Sequence, residues 1–143
     1  MRVTVTTDGA AKPNPGYTRI GVIIEDSEAK VLSVISESTG FGTSNSAEYK
    51  AIIRGLEESA SLNASIVVIY TDSQLCERQL NGSYKIANKR LKPLWGRIKK
   101  LESKFTKVRY RWHSRTEGRG PQADALAEGG EKAANTFEEL LGD

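Results

Sequence analysis

Five consecutive apolar residues, Ile66, Val67, Val68, Ile69 and Tyr70, constrain this chain more than any other stretch. The run is bounded by polar residues and has no solvent-facing side. It predicts a strand buried on both faces, as in a parallel sheet covered above and below. It ends in Thr71, Asp72 and Ser73, a good helix start.

The other elements are read around that strand. Val3 and Val5 alternate with Thr4 and Thr6, which predicts a first strand closing on Asp8 at its carboxyl end. Gly9 follows, no strand resumes after it, and the chain turns through Pro13, Pro15 and Gly16. Residues 20–24 and 31–36 predict a second and a third strand, joined by connections short enough for an antiparallel meander. A helix is expected over residues 46–62, with Ala51, Ile52, Leu56 and Ala60 on its apolar stripe. A short helix after Ser73 carries Leu75 and Leu80, and Asn81 and Gly82 close it. Residues 84–104 read as a turn and then a basic helix with Pro93 in its first turn, and residues 108–112 as the last strand. A final helix starts at Pro121 and is weakened in its middle by Gly129 and Gly130.

Three strands followed by alternating helices and strands give an α/β fold. The expected sheet is five-stranded and mixed, three strands antiparallel and then two parallel, with helices on both faces, in one domain over residues 1–143. No apolar run approaches membrane-spanning length and no signal pattern opens the chain, so a cytoplasmic protein is expected. Cys76 is the only cysteine, which excludes an internal disulfide and a thiolate metal cluster. Residues 84–119 hold 13 of the 21 Lys and Arg with only two acids, Glu102 and Glu117. Charge segregated in this way points to a polyanion, nucleic acid first, with a solvated helix face as the plainer reading.

Ligands of such sheets sit beyond the carboxyl ends of the strands. Asp8 and Asp72 fall at such ends, and Glu48 and Asp124 in the first turns of helices facing the same side. Each has a plain reading: a hairpin turn for Asp8, the partner of an Asn45 cap for Glu48, a cap for Asp72, a helix-dipole partner for Asp124. Four carboxylates converging on one sheet edge would repel one another unless cations held them. Oxygen donors without a Cys or His cluster favour Mg²⁺ or Mn²⁺ over Zn²⁺. Two such ions suit attack of water at phosphorus.

Four segments taken together carry a family resemblance. They are Thr7, Asp8 and Gly9 with Asn14, Pro15 and Gly16; residues 45–51; residues 70–75; and residues 123–127. In that order they resemble type 1 ribonuclease H over essentially the whole chain, in the branch without the long basic protrusion. The resemblance implies a ribonuclease H-like fold and cleavage of the RNA strand of an RNA–DNA hybrid, acting as a monomer. By it, Asp8, Glu48, Asp72 and Asp124 match the ligands of two Mg²⁺ ions, with Mn²⁺ able to substitute. Gly9, Asn14, Gly16, Asn45 and Gln74 match substrate contacts, and Lys85, Lys89, Arg90 and Lys92 stand in for part of the protrusion's charge. Many members carry a histidine in the loop after the last strand. Here that place falls near Thr116 and Glu117, so Glu117 takes the acid–base role; His113 reads as structural and Arg115 as a grip on phosphate. The DNA strand is expected against residues 84–112, with Trp95 read first as a core residue. Two rivals are a same-fold metal nuclease acting on double-stranded RNA and a non-catalytic hybrid-binding module. The intact carboxylate set counts against the module.

Overall fold

The computed structural model describes residues 1–142. Five strands, β1 (Arg2–Ala11), β2 (Gly16–Asp26), β3 (Val31–Gly42), β4 (Ile66–Thr71) and β5 (Lys107–Trp112), form one sheet in the order β3-β2-β1-β4-β5. β1, β2 and β3 pair antiparallel, and β1, β4 and β5 pair parallel. The helices are α1 (Ser44–Ser61), α2 (Gln74–Leu80), α3 (Lys92–Leu101), α4 (Gly120–Glu128) and α5 (Gly130–Leu141). Among the described residues no helix is long and apolar enough to cross a membrane.

The two faces of the sheet are covered differently. Val3, Val5, Val67 and Ile69 turn to the side of α1, where they meet Ile52 and Leu56, all but sealed from solvent. Each such side chain contributes about 1.5–3 kcal/mol by leaving water. On the other side a smaller core of Ile23, Ala123, Leu126 and Ala133 seats α4 and α5. Gly21 on β2 lets α4 sit close. A Cβ there would stand 2.3 Å from the Ala123 carbonyl oxygen and 2.8 Å from the Ala127 nitrogen.

Four expectations are corrected. β1 does not stop at Gly9 but runs to Ala11 and pairs on with β2, Ala11 opposite Thr18. Its parallel pairing with β4 stops at Thr6, and it is that end which frees Asp8. Glu48 and Asp124 lie in the second turns of their helices, because α1 begins at Ser44 and α4 at Gly120. The caps belong to other residues: Thr43 and Ser46 form the capping box of α1, and the Ser73 side chain caps α2. The last helix is two helices, since Gly129 at φ +79° leaves the right-handed region and breaks the ladder. Trp95 is a packing residue, its indole N–H donating to the Gln79 carbonyl at 3.3 Å.

The basic segment does not form one surface. Val108 and Tyr110 join the core on the α1 side, so alternation turns Lys107, Arg109 and Arg111 to the opposite face from α3. The DNA contact expected over residues 84–112 is corrected too: a strand lying along α3 does not reach these three.

Candidate metal centre

The site is assembled where β1 and β4 part. Asp8 lies inside β1 at 3% exposure. Asp72 follows β4 directly, its backbone carbonyl accepting the Trp112 indole N–H at 3.0 Å. Glu48 arrives from α1 and is locked from two sides: Gly9 N–H donates to Oε1 at 3.0 Å and the Thr71 hydroxyl to Oε2 at 3.2 Å. One oxygen from each of Asp8, Glu48 and Asp72 lies within 4.8 Å of the other two. α4 brings Asp124 beside them, near enough to raise the pKa of Asp8.

The electrostatics are those of a site short of positive charge. Burial first, then the Asp72 charge, pushes Asp8 from 3.8 up to about 7. Glu48 is pushed well up as well, by burial and then by Asp8 and Asp72. Arg115 partly compensates: its Nε donates to Asp72 Oδ2 at 2.9 Å and stands 3.8 Å from Asp124 Oδ1. Asp8 Oδ1 is buried and has no hydrogen-bond partner among the described residues. An unpaired buried carboxylate oxygen is costly. Facing other hard oxygen donors, it fits a divalent cation, as Mg²⁺-type ions prefer.

A pH dependence follows. Between about pH 4 and pH 7 the folded chain keeps a proton on Asp8 that the unfolded chain has released, so metal-free stability falls as pH rises across that window. Thermal melts in chelator should therefore show a lower midpoint at pH 8 than at pH 5. Mg²⁺ should raise the pH 8 midpoint by roughly 5 °C and the pH 5 midpoint by much less. An equal rise at both pH values would count against cation binding at this cluster.

The cleft over the cluster measures about 310 Å³ and is lined by Asp8, Gly9, Asn45, Glu48, Asp72, Arg115 and Asp124 among others. A larger groove of about 560 Å³ opens beside Lys12, Arg19 and Glu128, but no group of carboxylates faces it. Chemistry rather than volume identifies the site.

The remaining expected residues are not among those lining the cleft. Asn14 accepts the Ser44 N–H at 3.0 Å and ties the β1–β2 loop to the start of α1. Gly16 is buried where β2 begins, and Gln74 is exposed at the start of α2. Glu117 accepts the Ser114 N–H at 2.8 Å, which holds its carboxyl below the ordinary value. The His113 ring rests on Tyr70 with centroids 5.0 Å apart. Sequence reading missed Thr71, which orients Glu48, and Trp112, which holds the Asp72 backbone. A polar β-branched residue closing an apolar run, directly before an acid, is the available signal for Thr71.

Comparison with known proteins adds to this geometry. Residues 6–129 match the family model described as reverse transcriptase-like. A bifunctional protein of Mycobacterium tuberculosis is 31% identical over 128 residues, 89% of this chain, and the chain spans 35% of that relative's length. Among solved structures, RNase H1 of Halobacterium salinarum superposes with a TM-score of 0.86 at 29% identity, over 94% of this chain and 99% of that one. The RNase H1 named LC11, solved in complex with an RNA/DNA hybrid, gives 0.84 at 30% identity, over 93% and 99%.

Proposed function

The chain belongs to the reverse transcriptase-like family, among its type 1 ribonuclease H members, and from that membership we propose that it is an endoribonuclease hydrolysing the RNA strand of RNA–DNA hybrids. The products would be 5′-phosphate and 3′-hydroxyl ends. The observation that carries this reading is the orphaned Asp8 Oδ1 in a cluster of three carboxylates.

In this reading Asp8, Glu48, Asp72 and Asp124 would hold two Mg²⁺ ions, or Mn²⁺ in their place, and the ions would supply a polarised water and charge neutralisation at phosphorus. The chain's own work is positioning. Gly9 N–H and Thr71 fix the Glu48 carboxylate so that it needs no reorganisation. Trp112 and β5 fix the Asp72 backbone. Arg115, with a side chain 60% exposed, can turn from the carboxylates to a substrate phosphate. Gly9, Asn45 and Gln74 face the RNA 2′-hydroxyls, by which a protein tells RNA from DNA. Asn14 and Gly16 shape the loop that meets the substrate backbone. Glu117, exposed and ionised in the loop after β5, serves proton transfer or product departure.

The test is cleavage of end-labelled duplexes in Mg²⁺, Mn²⁺ or chelator. Substrates are an RNA–DNA hybrid, double-stranded RNA, double-stranded DNA and single-stranded RNA. Metal-dependent cutting of RNA in the hybrid alone is expected. Equal cutting of double-stranded RNA would overturn the substrate assignment, and hybrid binding without any cutting would overturn the activity.

A further inference from the structure

We infer that the uncovered face of β4 and β5 is a track for single-stranded RNA, taking an extension of the RNA strand beyond the hybrid; this rests on the proposed function for the identity of that strand. β5 alternates cation and apolar residue. Tyr110 is buried on the α1 side, where its hydroxyl donates to Glu102 Oε2. Lys107, Arg109 and Arg111 therefore stand in file on the other face, all exposed. No helix packs extensively on that face there, since α4 packs over β1, β2 and β3 and α5 over β3. Val68 at its centre is still only 2% exposed, so the accessible surface is that of the flanking side chains.

The charge in that file is uncommitted. Four of the ten other cations of the same segment have carboxylate partners, Arg97 with Glu57, Lys99 with Glu102, Arg115 with Asp72 and Arg119 with Glu25, and the rest lie before β5 in the chain. Lys107, Arg109 and Arg111 have none among the described residues. By register, the acids on their face are Glu25, opposite Thr4 on β1 and three strands away from Arg109, where Arg119 already pairs with it at 3.4 Å, and Asp8 and Asp72 at the site, where Arg115 pairs with Asp72.

Geometry selects one strand rather than a duplex. Alternate residues of a strand are about 6.6 Å apart, the scale of successive phosphates in an extended polynucleotide. Arg111 stands opposite Tyr70, and the His113 ring lies on Tyr70 at a tilt of 32°. Cations in a line with aromatic rings at its end are how proteins bind single strands without reading sequence. The line also points at the site, since Asp72 is two residues beyond Tyr70 on the same side of β4.

The experiment compares a blunt hybrid with the same hybrid carrying a single-stranded RNA extension of about ten nucleotides. Binding is measured against salt, with the wild type, the triple variant Lys107→Ser/Arg109→Ser/Arg111→Ser and the single variant Arg109→Gln. The wild type should bind the extended hybrid about tenfold more tightly, with a salt slope steeper by about two. The triple variant should lose that gain and the single variant part of it, while both cleave the blunt hybrid at the wild-type rate. No gain in the wild type, a gain that survives in the triple variant, or an equal gain from a duplex DNA extension would overturn the inference. Failure to cleave the blunt hybrid with the extension gain intact would sink the proposed activity and leave the track standing.

Discussion

Asp8→Asn is expected to abolish cleavage and at the same time make the metal-free protein harder to unfold. The loss should reach at least about a thousandfold, the scale of removing one preorganised charge-stabilising group. The gain in stability has a separate origin. Holding Asp8 at about 7 rather than 3.8 costs at most about 4 kcal/mol above neutrality. Asn removes the charge but brings an amide that needs partners, so roughly half is recovered, or about 4–8 °C in melting temperature at pH 8. Hybrid affinity in chelator should not fall. The decisive pairing is a melt at pH 8 and a melt at pH 4, where the wild-type carboxyl is already protonated and the variant's advantage should vanish. An advantage of the same size at both pH values would place the effect in packing rather than charge.

Gly21→Ala should be the most damaging single methyl addition on the α4 side. The new Cβ would meet the Ala123 carbonyl oxygen at 2.3 Å, Leu126 Cβ at 2.7 Å and the Ala127 nitrogen at 2.8 Å. Two of these are helix backbone, which cannot rotate away, so α4 must lift from β2. The expected cost is about 3 kcal/mol in urea unfolding. α4 also carries Asp124, so cleavage by the folded fraction should fall as well, by about tenfold or more. Loss of stability with full activity per folded molecule would show that α4 can shift without moving Asp124.

The carboxylates were legible from sequence because each stands at a boundary between periodic segments. Val3 to Thr6 lead to Asp8, the apolar run leads to Asp72, and two helices start shortly before Glu48 and Asp124. What remained hidden is instructive. Residues 9–11 carry no alternating pattern, and β1 continues there only because β2 pairs with it. The capping box of α1 uses Thr43 and Ser46 rather than Asn45 and Glu48, a choice made by backbone geometry one residue finer than a spacing rule. Arg115 looked like a phosphate grip. Its bond to Asp72 depends on how the loop after β5 folds back, which no local pattern encodes. The basic segment looked continuous because charge was counted along the chain, while helix and strand project it onto opposite faces.

β5 also closes the sheet on one side, and an edge strand offers unpaired backbone groups to any other strand that comes alongside. If two copies of this chain met there, Lys107, Arg109 and Arg111 of each would be brought together in a small area. Like charges facing across a strand pair oppose such a union. The side chains that leave this face open to an anionic guest also guard the margin of the sheet against self-association, and that guard should weaken as salt rises.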